Sequence, residues 1–221
     1  MGEPVSRILS RLPLVLALTA FPSTAFAHRL DECLQATIVA IEPGELRLRI
    51  NVTPGAAVAE PVIALVDRDR DGVISADEAA AYAGTLQRDL RVRVDQRDVE
   101  LALASCEAAP PADLRTGSGI LRVEFKAQVG PLAPGNHAVT LENRHLAKVS
   151  VYLINAAAPR SRAIRIIRQV RNDNQSVSDI QFVLEPAARF ASPVGVGVSL
   201  ATVGAVFGAV WWARQRAAPP A

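Results

Sequence analysis

Aromatic residues make up only 5% of the chain, and lysine occurs twice, at positions 126 and 148, against 22 arginines. With no interleaving of aromatic and basic residues, a surface that stacks nucleic-acid bases is excluded. Cysteine is equally sparse. Cys33 and Cys106 stand alone, with no CxxC and no Cys–His spacing that would point to a zinc site. Sequence signatures of catalysis are missing too. No GxSxG, P-loop or HExxH pattern occurs. Serine, histidine and aspartate are present without a local motif joining them, so the expectation is a protein that is not an enzyme.

The formal net charge is +2, and the sequence pI is 8.8. That basic balance belongs to the two ends. Residues 1–27 carry Glu3, Arg7 and Arg11, and the far end carries Arg214 and Arg216, which leaves 28–192 slightly acidic. A nucleic-acid binder would concentrate basic charge on its domain. Half the residues are hydrophobic and mean hydropathy is +0.20, which excludes a disordered polar chain and directs attention to apolar segments.

Two such segments address the chain to a membrane. Arg7 and Arg11 precede the apolar run Leu12 to Phe21, and Ala25-Phe26-Ala27 follows as a cleavage site. This is the pattern of a secretory signal peptide over 1–27, with His28 as the mature N-terminus. No charge occurs from Phe190 to Ala213. Within that stretch 193–213 has bilayer-spanning length, ends in Trp211 and Trp212, and is followed by Arg214 and Arg216. The expected topology is single-pass type I. Residues 28–192 lie outside the cytoplasm, on the periplasmic side of a bacterial inner membrane, and 214–221 form a cytoplasmic tail. A bacterial sorting signal is the other reading of this C-terminus, with Glu185-Pro186 as its only hint of a motif. Gly197, Ala201, Gly204 and Gly208 share one face of the span, a surface suited to a partner helix or to self-association.

Between the ends, short alternating segments predominate. Leu34 to Ile41 leads through a turn at Glu42-Pro43-Gly44 into Glu45 to Val52, where Leu46, Leu48 and Ile50 alternate with Arg47, Arg49 and Asn51. That period of two marks a half-buried strand. Leu90 to Val94, Val99 to Ala104, Gly119 to Gln128, His137 to Glu142, Val149 to Asn155, Ala163 to Val170 and Val177 to Leu184 continue the series. The fold class is mainly β, an immunoglobulin-like sandwich. Arg162, Arg165, Arg168 and Arg171 cannot share one face of a strand and suit a solvated edge. In an oxidising compartment Cys33 and Cys106 are expected to form a disulfide, closing a loop of about 70 residues for a stabilisation of about 4 kcal/mol.

One segment breaks the rhythm. From about residue 57 to 90 the pattern is helical, with Ala79, Tyr82, Ala83 and Leu86 on one face. Pro61 limits the first helix to roughly 61–66. Residues 67–78 read DRDRDGVISADE. Asp67, Asp69 and Asp71 fall at positions 1, 3 and 5 of a twelve-residue loop, Gly72 at 6, Val73 at 7, Ser75 at 9 and Glu78 at 12. This is the spacing of an EF-hand calcium loop. A hard cation takes oxygen ligands, so three carboxylates converge from a tight turn, and Gly72 supplies the bend. Val73 offers its carbonyl, Ser75 acts through a water, and Glu78 closes the site from the exiting helix. Ile74 anchors the loop to its surroundings. Single EF-hands are unusual in sensors, so the binding is read as structural.

The mature start HRLDECLQATIVAIEPGELRLRINVTPG, the loop DRDRDGVISADEAAAYA, and the later ENRHL and VSVYLINA resemble bacterial periplasmic proteins with an EF-hand domain. They are similar to the extracytoplasmic N-terminal module of the hydrogenase/urease accessory metal-permease family. The resemblance covers roughly 28–185 and implies an EF-hand inserted in a β domain. It identifies no catalytic residue. Several membrane helices follow the module in that family, whereas one follows here, so transport by this chain alone is not implied.

The reading is a calcium-binding, membrane-anchored binding module. One alternative is an accessory in nickel, cobalt or copper uptake, with a permease as partner and His28 as a ligand through its amine and imidazole. Another is an adhesion or protein-interaction module. His137 and His145 are expected to serve local hydrogen bonding.

Overall fold

The computed structural model describes residues 31–186. The signal segment, His28, the apolar span and its small-residue face lie outside the described residues. Among the described residues no helix is long and apolar enough to cross a membrane.

Among the described residues ten strands form two five-stranded sheets packed as a sandwich. The chain opens with a hairpin of β1 (Cys33–Glu42) and β2 (Glu45–Pro54). Pro43 starts its two-residue turn and Gly44, at φ 81°, completes it in a conformation open to glycine. Along β2, Leu46, Leu48, Ile50 and Val52 are buried while Arg47 and Arg49 face solvent, as the alternation requires.

The helical segment follows as the crossover from one sheet to the other. A single 3-10 turn (Ala56–Val58) leads into α1 (Ala59–Val66), then the acidic loop, then α2 (Ala76–Arg88). Pro61 sits in the first turn of α1, where its missing N–H costs nothing. The buried face of α2 is Ala79, Tyr82, Ala83 and Leu86.

Strand β3 (Leu90–Val94) turns sharply into the two-residue β4 (Arg97–Asp98). Asp95 and Gln96 both have positive φ, 48° and 68°, as a tight hairpin turn of the mirror-image type demands. The chain then leaves this sheet. The strand expected over 99–104 is displaced to β5 (Ala102–Ala108), which lies in the first sheet beside β6 (Leu121–Gln128). A short helix between them, α3 (Pro111–Arg115), was not legible as such. Proline at its start sets φ, but five residues carry no helical period.

The remaining strands are β7 (Gly135–Asn143), β8 (Ser150–Ala156), β9 (Ile164–Arg171) and β10 (Val177–Leu184). The sheet orders are β5-β6-β2-β1-β8 and β4-β3-β7-β10-β9. β8 runs parallel to β1, and every other pairing is antiparallel. The edge of β8 is covered by β9, since Arg171 Nε and Gln169 Nε2 both donate to the Ile154 carbonyl, at 2.6 and 2.7 Å. Arg162, Arg165, Arg168 and Arg171 are exposed on or beside the edge strand β9, consistent with the solvated edge.

The disulfide expectation is overturned. Cys33 and Cys106 are free thiols. Cys33 lies on β1 and Cys106 on β5, with β2 and β6 between them in the sheet. Three strand spacings separate the two chains by about 14 Å, whereas a bridge needs Cα atoms within about 7 Å. Burial pushes the Cys33 thiol up to about 12 against a hydrogen bond from Ser150, and burial likewise raises Cys106 to about 11.

Two outcomes follow. Intact-mass analysis of protein alkylated in denaturant without reductant should show both cysteines modified, and under native conditions Cys33 should stay unmodified longest; an unmodifiable pair would restore the bridge. A Cβ at Gly119 would lie 2.6 Å from Leu114 N and 2.8 Å from Asp113 C, so Gly119→Ala drives backbone into backbone. It should lower stability by about 1–3 kcal/mol in denaturant unfolding, and an unchanged midpoint would show that α3 shifts freely.

Candidate metal centre

The acidic loop starts where α1 stops. Asp67 N–H donates to the Ile63 carbonyl at 2.8 Å, which makes Asp67 the C-cap of that helix. Its side chain is turned inward and the residue is only 4% exposed. Oδ2 accepts the Gly72 N–H at 3.1 Å, folding the loop back over the aspartate. Oδ1 is buried and has no hydrogen-bond partner among the described residues.

The next two carboxylates organise their own turns. Asp69 Oδ1 accepts the Asp71 N–H at 3.1 Å, and Asp71 Oδ1 accepts the Val73 N–H at 2.8 Å. Each is the side-chain turn by which aspartate mimics a backbone turn. Arg70 at φ 61° and Gly72 at φ 84° supply the left-handed steps that coil the segment tightly. One oxygen from each of Asp67, Asp69 and Asp71 lies within 4.8 Å of the other two. Oxygens each about 2.4 Å from one cation can stand no more than about 4.8 Å apart, so this spread suits a single ion. The three aspartates could hold a metal ion.

The other expected ligands stand differently. Val73 points its side chain to solvent, 64% exposed, which leaves its type unconstrained. Ile74 packs against the hydrophobic core and so ties the loop down. Ser75 and Glu78 engage each other in a capping box at the start of α2. Glu78 Oε2 accepts the Ser75 N–H at 2.9 Å and its hydroxyl at 2.8 Å, while Oε1 accepts the Arg68 N–H at 2.7 Å. Those bonds to Ser75 and Arg68 bring the Glu78 carboxyl down to about 2. Glu78 therefore pins the first residues of the loop to the last, and it stands outside the group of three converging oxygens.

A buried polar network fixes α2 to the sandwich. Tyr82, on the buried face of α2, shares a 3.0 Å hydrogen bond with His145 Nε2, and His145 Nδ1 meets Asp89 Oδ2 at 2.7 Å. The edge of the Tyr82 ring also meets the imidazole, with centroids 5.4 Å apart. The His145 backbone is held as firmly. Its carbonyl accepts from Gln35 Nε2 and from the Tyr152 hydroxyl, and its N–H donates to Asn143 Oδ1. Asn143 Nδ2 donates to Gln35 Oε1 to close the ring of contacts. Asn143 and His145 come from ENRHL, Tyr152 from VSVYLINA and Gln35 from the first strand. From the sequence, His145 is expected to make a local bond. The assembly itself is not legible there, because no spacing links positions 35, 82, 143 and 152.

Burial drives the His145 ring below its ordinary value and outweighs the pull of Asp89. The neutral tautomer with a proton on Nδ1 donates to Asp89 and accepts from Tyr82, satisfying both nitrogens.

Comparison of the chain with protein-family models, curated proteins and solved structures finds no match.

A histidine kept neutral by folding gives stability that is full above its unfolded value near 6.5 and falls as pH drops below it. Acid titration of unfolding midpoints should show that fall, and Tyr82→Phe should cost about 1–3 kcal/mol at pH 7 by leaving Nε2 without a donor. An unaffected Tyr82→Phe protein would remove the network from the account of how α2 is held.

Proposed function

We propose that this chain is a calcium-binding module, anchored outside the cytoplasm by its C-terminal span, in which the ion stabilises the inserted loop. The observation that carries the reading is Asp67, a 4%-exposed carboxylate with one oxygen lacking a partner among the described residues, beside two further carboxylates. A buried carboxylate oxygen without a hydrogen bond is costly, and a cation would compensate it. Asp67, Asp69 and Asp71 would hold the ion, and the spacing adds the Val73 carbonyl. A bound ion would supply positive charge where the loop carries five acids against Arg68 and Arg70. Glu78 serves first as the clasp of the loop through its capping bonds.

The donor set of the cluster is all oxygen, which favours a hard cation over nickel or copper. Extracytoplasmic modules of this kind bind calcium at about 10⁻⁴–10⁻³ M, a range in which the site would stay filled without acting as a sensor. Magnesium, with a smaller octahedral shell and firmly held water, would substitute poorly. With the exit of α2 fixed by His145 and Tyr82, an ordered loop would present one defined surface to a partner.

Thermal unfolding of the full-length protein over a calcium titration tests this. At a hundredfold excess over the dissociation constant the gain is about 2.7 kcal/mol, or about 5–10 °C for a domain of this size. Asp67→Asn should abolish the shift with little effect in calcium-free buffer. A melting temperature unmoved up to several millimolar calcium, with a flat calorimetric titration, would reduce the loop to an acidic turn.

A further inference from the structure

The end of the sandwich opposite His145, where β7 begins, carries a second arrangement of charged and apolar groups. The C-terminal end of β10 and the β1–β2 turn meet there around an apolar cavity of about 170 Å³, its walls including Ile41, Leu46, Val139, Phe182 and Leu184. The segment after β6, Gly130-Pro-Leu-Ala-Pro134, crosses this end. Pro131 and Leu132 face the apolar cavity on one side and a polar cleft on the other. Val129 N–H, bonded to the Gly44 carbonyl at 2.9 Å, anchors the segment where it begins, and β7 resumes at Gly135. Two prolines leave it few amides with which to make backbone bonds.

What holds the segment between those anchors is His137. Its Nε2 lies 2.7 Å from the Ala133 carbonyl and its Nδ1 lies 2.7 Å from Asp95 Oδ2. Both partners are acceptors, so both contacts are hydrogen bonds only when both ring nitrogens carry protons. Asp95 is itself fixed in the left-handed turn between β3 and β4, where its Oδ1 accepts the Ala138 N–H at 3.0 Å. On the β10 side the imidazole packs at 5.5 Å on the ring of Phe182, which also lines the cavity. Arg97, Asp98 and Glu100 line the neighbouring cleft, and the charge of Arg97 helps to lower the Asp95 carboxyl. The segment itself brings no charge. Among the described residues the only charged group bonded to the ring is the Asp95 carboxylate.

We propose that 130–134 is a strap held across the apolar cavity by a proton: doubly protonated His137 bridges Asp95 and Ala133, and losing one proton releases the strap. On deprotonation one of the two nitrogens becomes a lone pair facing an oxygen lone pair. Asp95, a carboxylate, keeps the remaining proton on Nδ1, so the Ala133 contact is the one that turns repulsive. Burial opposes charge on this ring, yet the bonds to Asp95 and Ala133 and the Asp95 charge prevail and raise its titration above 6.5. The sign is therefore opposite to that of His145. The strap is closed below pH 6.5 and loosens as pH rises through the His137 midpoint.

The test is an NMR titration of the full chain, labelled at histidine carbons and at leucine and alanine methyls, from pH 5 to 9. His137→Gln identifies the His137 signal by its loss. The imidazole should titrate above 6.5, and the Leu132 and Ala133 methyls should move with the same midpoint while core methyls stay still. Asp95→Asn should lower that midpoint to 6.5 or below and carry the strap methyls with it. A His137 midpoint at or below 6.5 in the unsubstituted protein, or strap methyls indifferent to its titration, would overturn the proposal. The unsubstituted titration decides the matter even if Asp95→Asn does not fold. The calcium loop can be filled or empty throughout, so the two readings fail independently.

Discussion

The polar cluster around His145 is the constraint on which the arrangement of the insertion depends. Its members come from β1, α2, β7, β8 and the segment between the last two. Buried polar groups are tolerated only when their bonds are complete, so the cluster accepts few alternative placements of α2. A helix resting on the sheet by apolar contact alone could slide by a turn with little loss. With Tyr82 bonded to an imidazole that is itself fixed at Asp89, in a residue whose backbone N–H is held by Asn143, that freedom is gone. The loop inherits the order, because Ser75 and Glu78 join its end to the first turn of α2.

The same logic relates the two histidines at opposite ends of the sandwich. His145 has one donor and one acceptor facing its nitrogens, a set that the neutral ring completes. His137 has two acceptors, a set that only the cation completes. Identical side chains thus receive opposite protonation preferences from their surroundings. One supports a rigid attachment and the other a releasable one.

The expectation of a location outside the cytoplasm suggests a staple between the two cysteines, yet the sandwich is held by its own core. Leu46, Leu48, Ile50, Val123, Phe125, Leu141, Ile180 and Phe182 are all essentially removed from water. A domain of this size buries enough apolar surface to fold without a cross-link. Cys33 behaves as one more small buried side chain.

Strand periodicity, the helical insertion and the acidic loop were legible in the sequence because each rests on local spacing. Leu46, Leu48 and Ile50 alternate with arginine and asparagine, Tyr82 and Leu86 repeat along one helix face, and Asp67, Asp69 and Asp71 recur every second residue. Steric and hydrogen-bonding rules act over such short separations, so they leave a trace in the order of residues. The fate of the two cysteines, the crossing of β5 into the first sheet, the His145 cluster and the His137 bridge left no such trace. They depend on which strands become neighbours, and that follows from burying the whole apolar surface at once. The loop shows the division at one site. Its sequence determined that three carboxylates would face one another, whereas tertiary packing decided that Asp67 would be buried with an unpartnered oxygen and that Glu78 would clasp the loop.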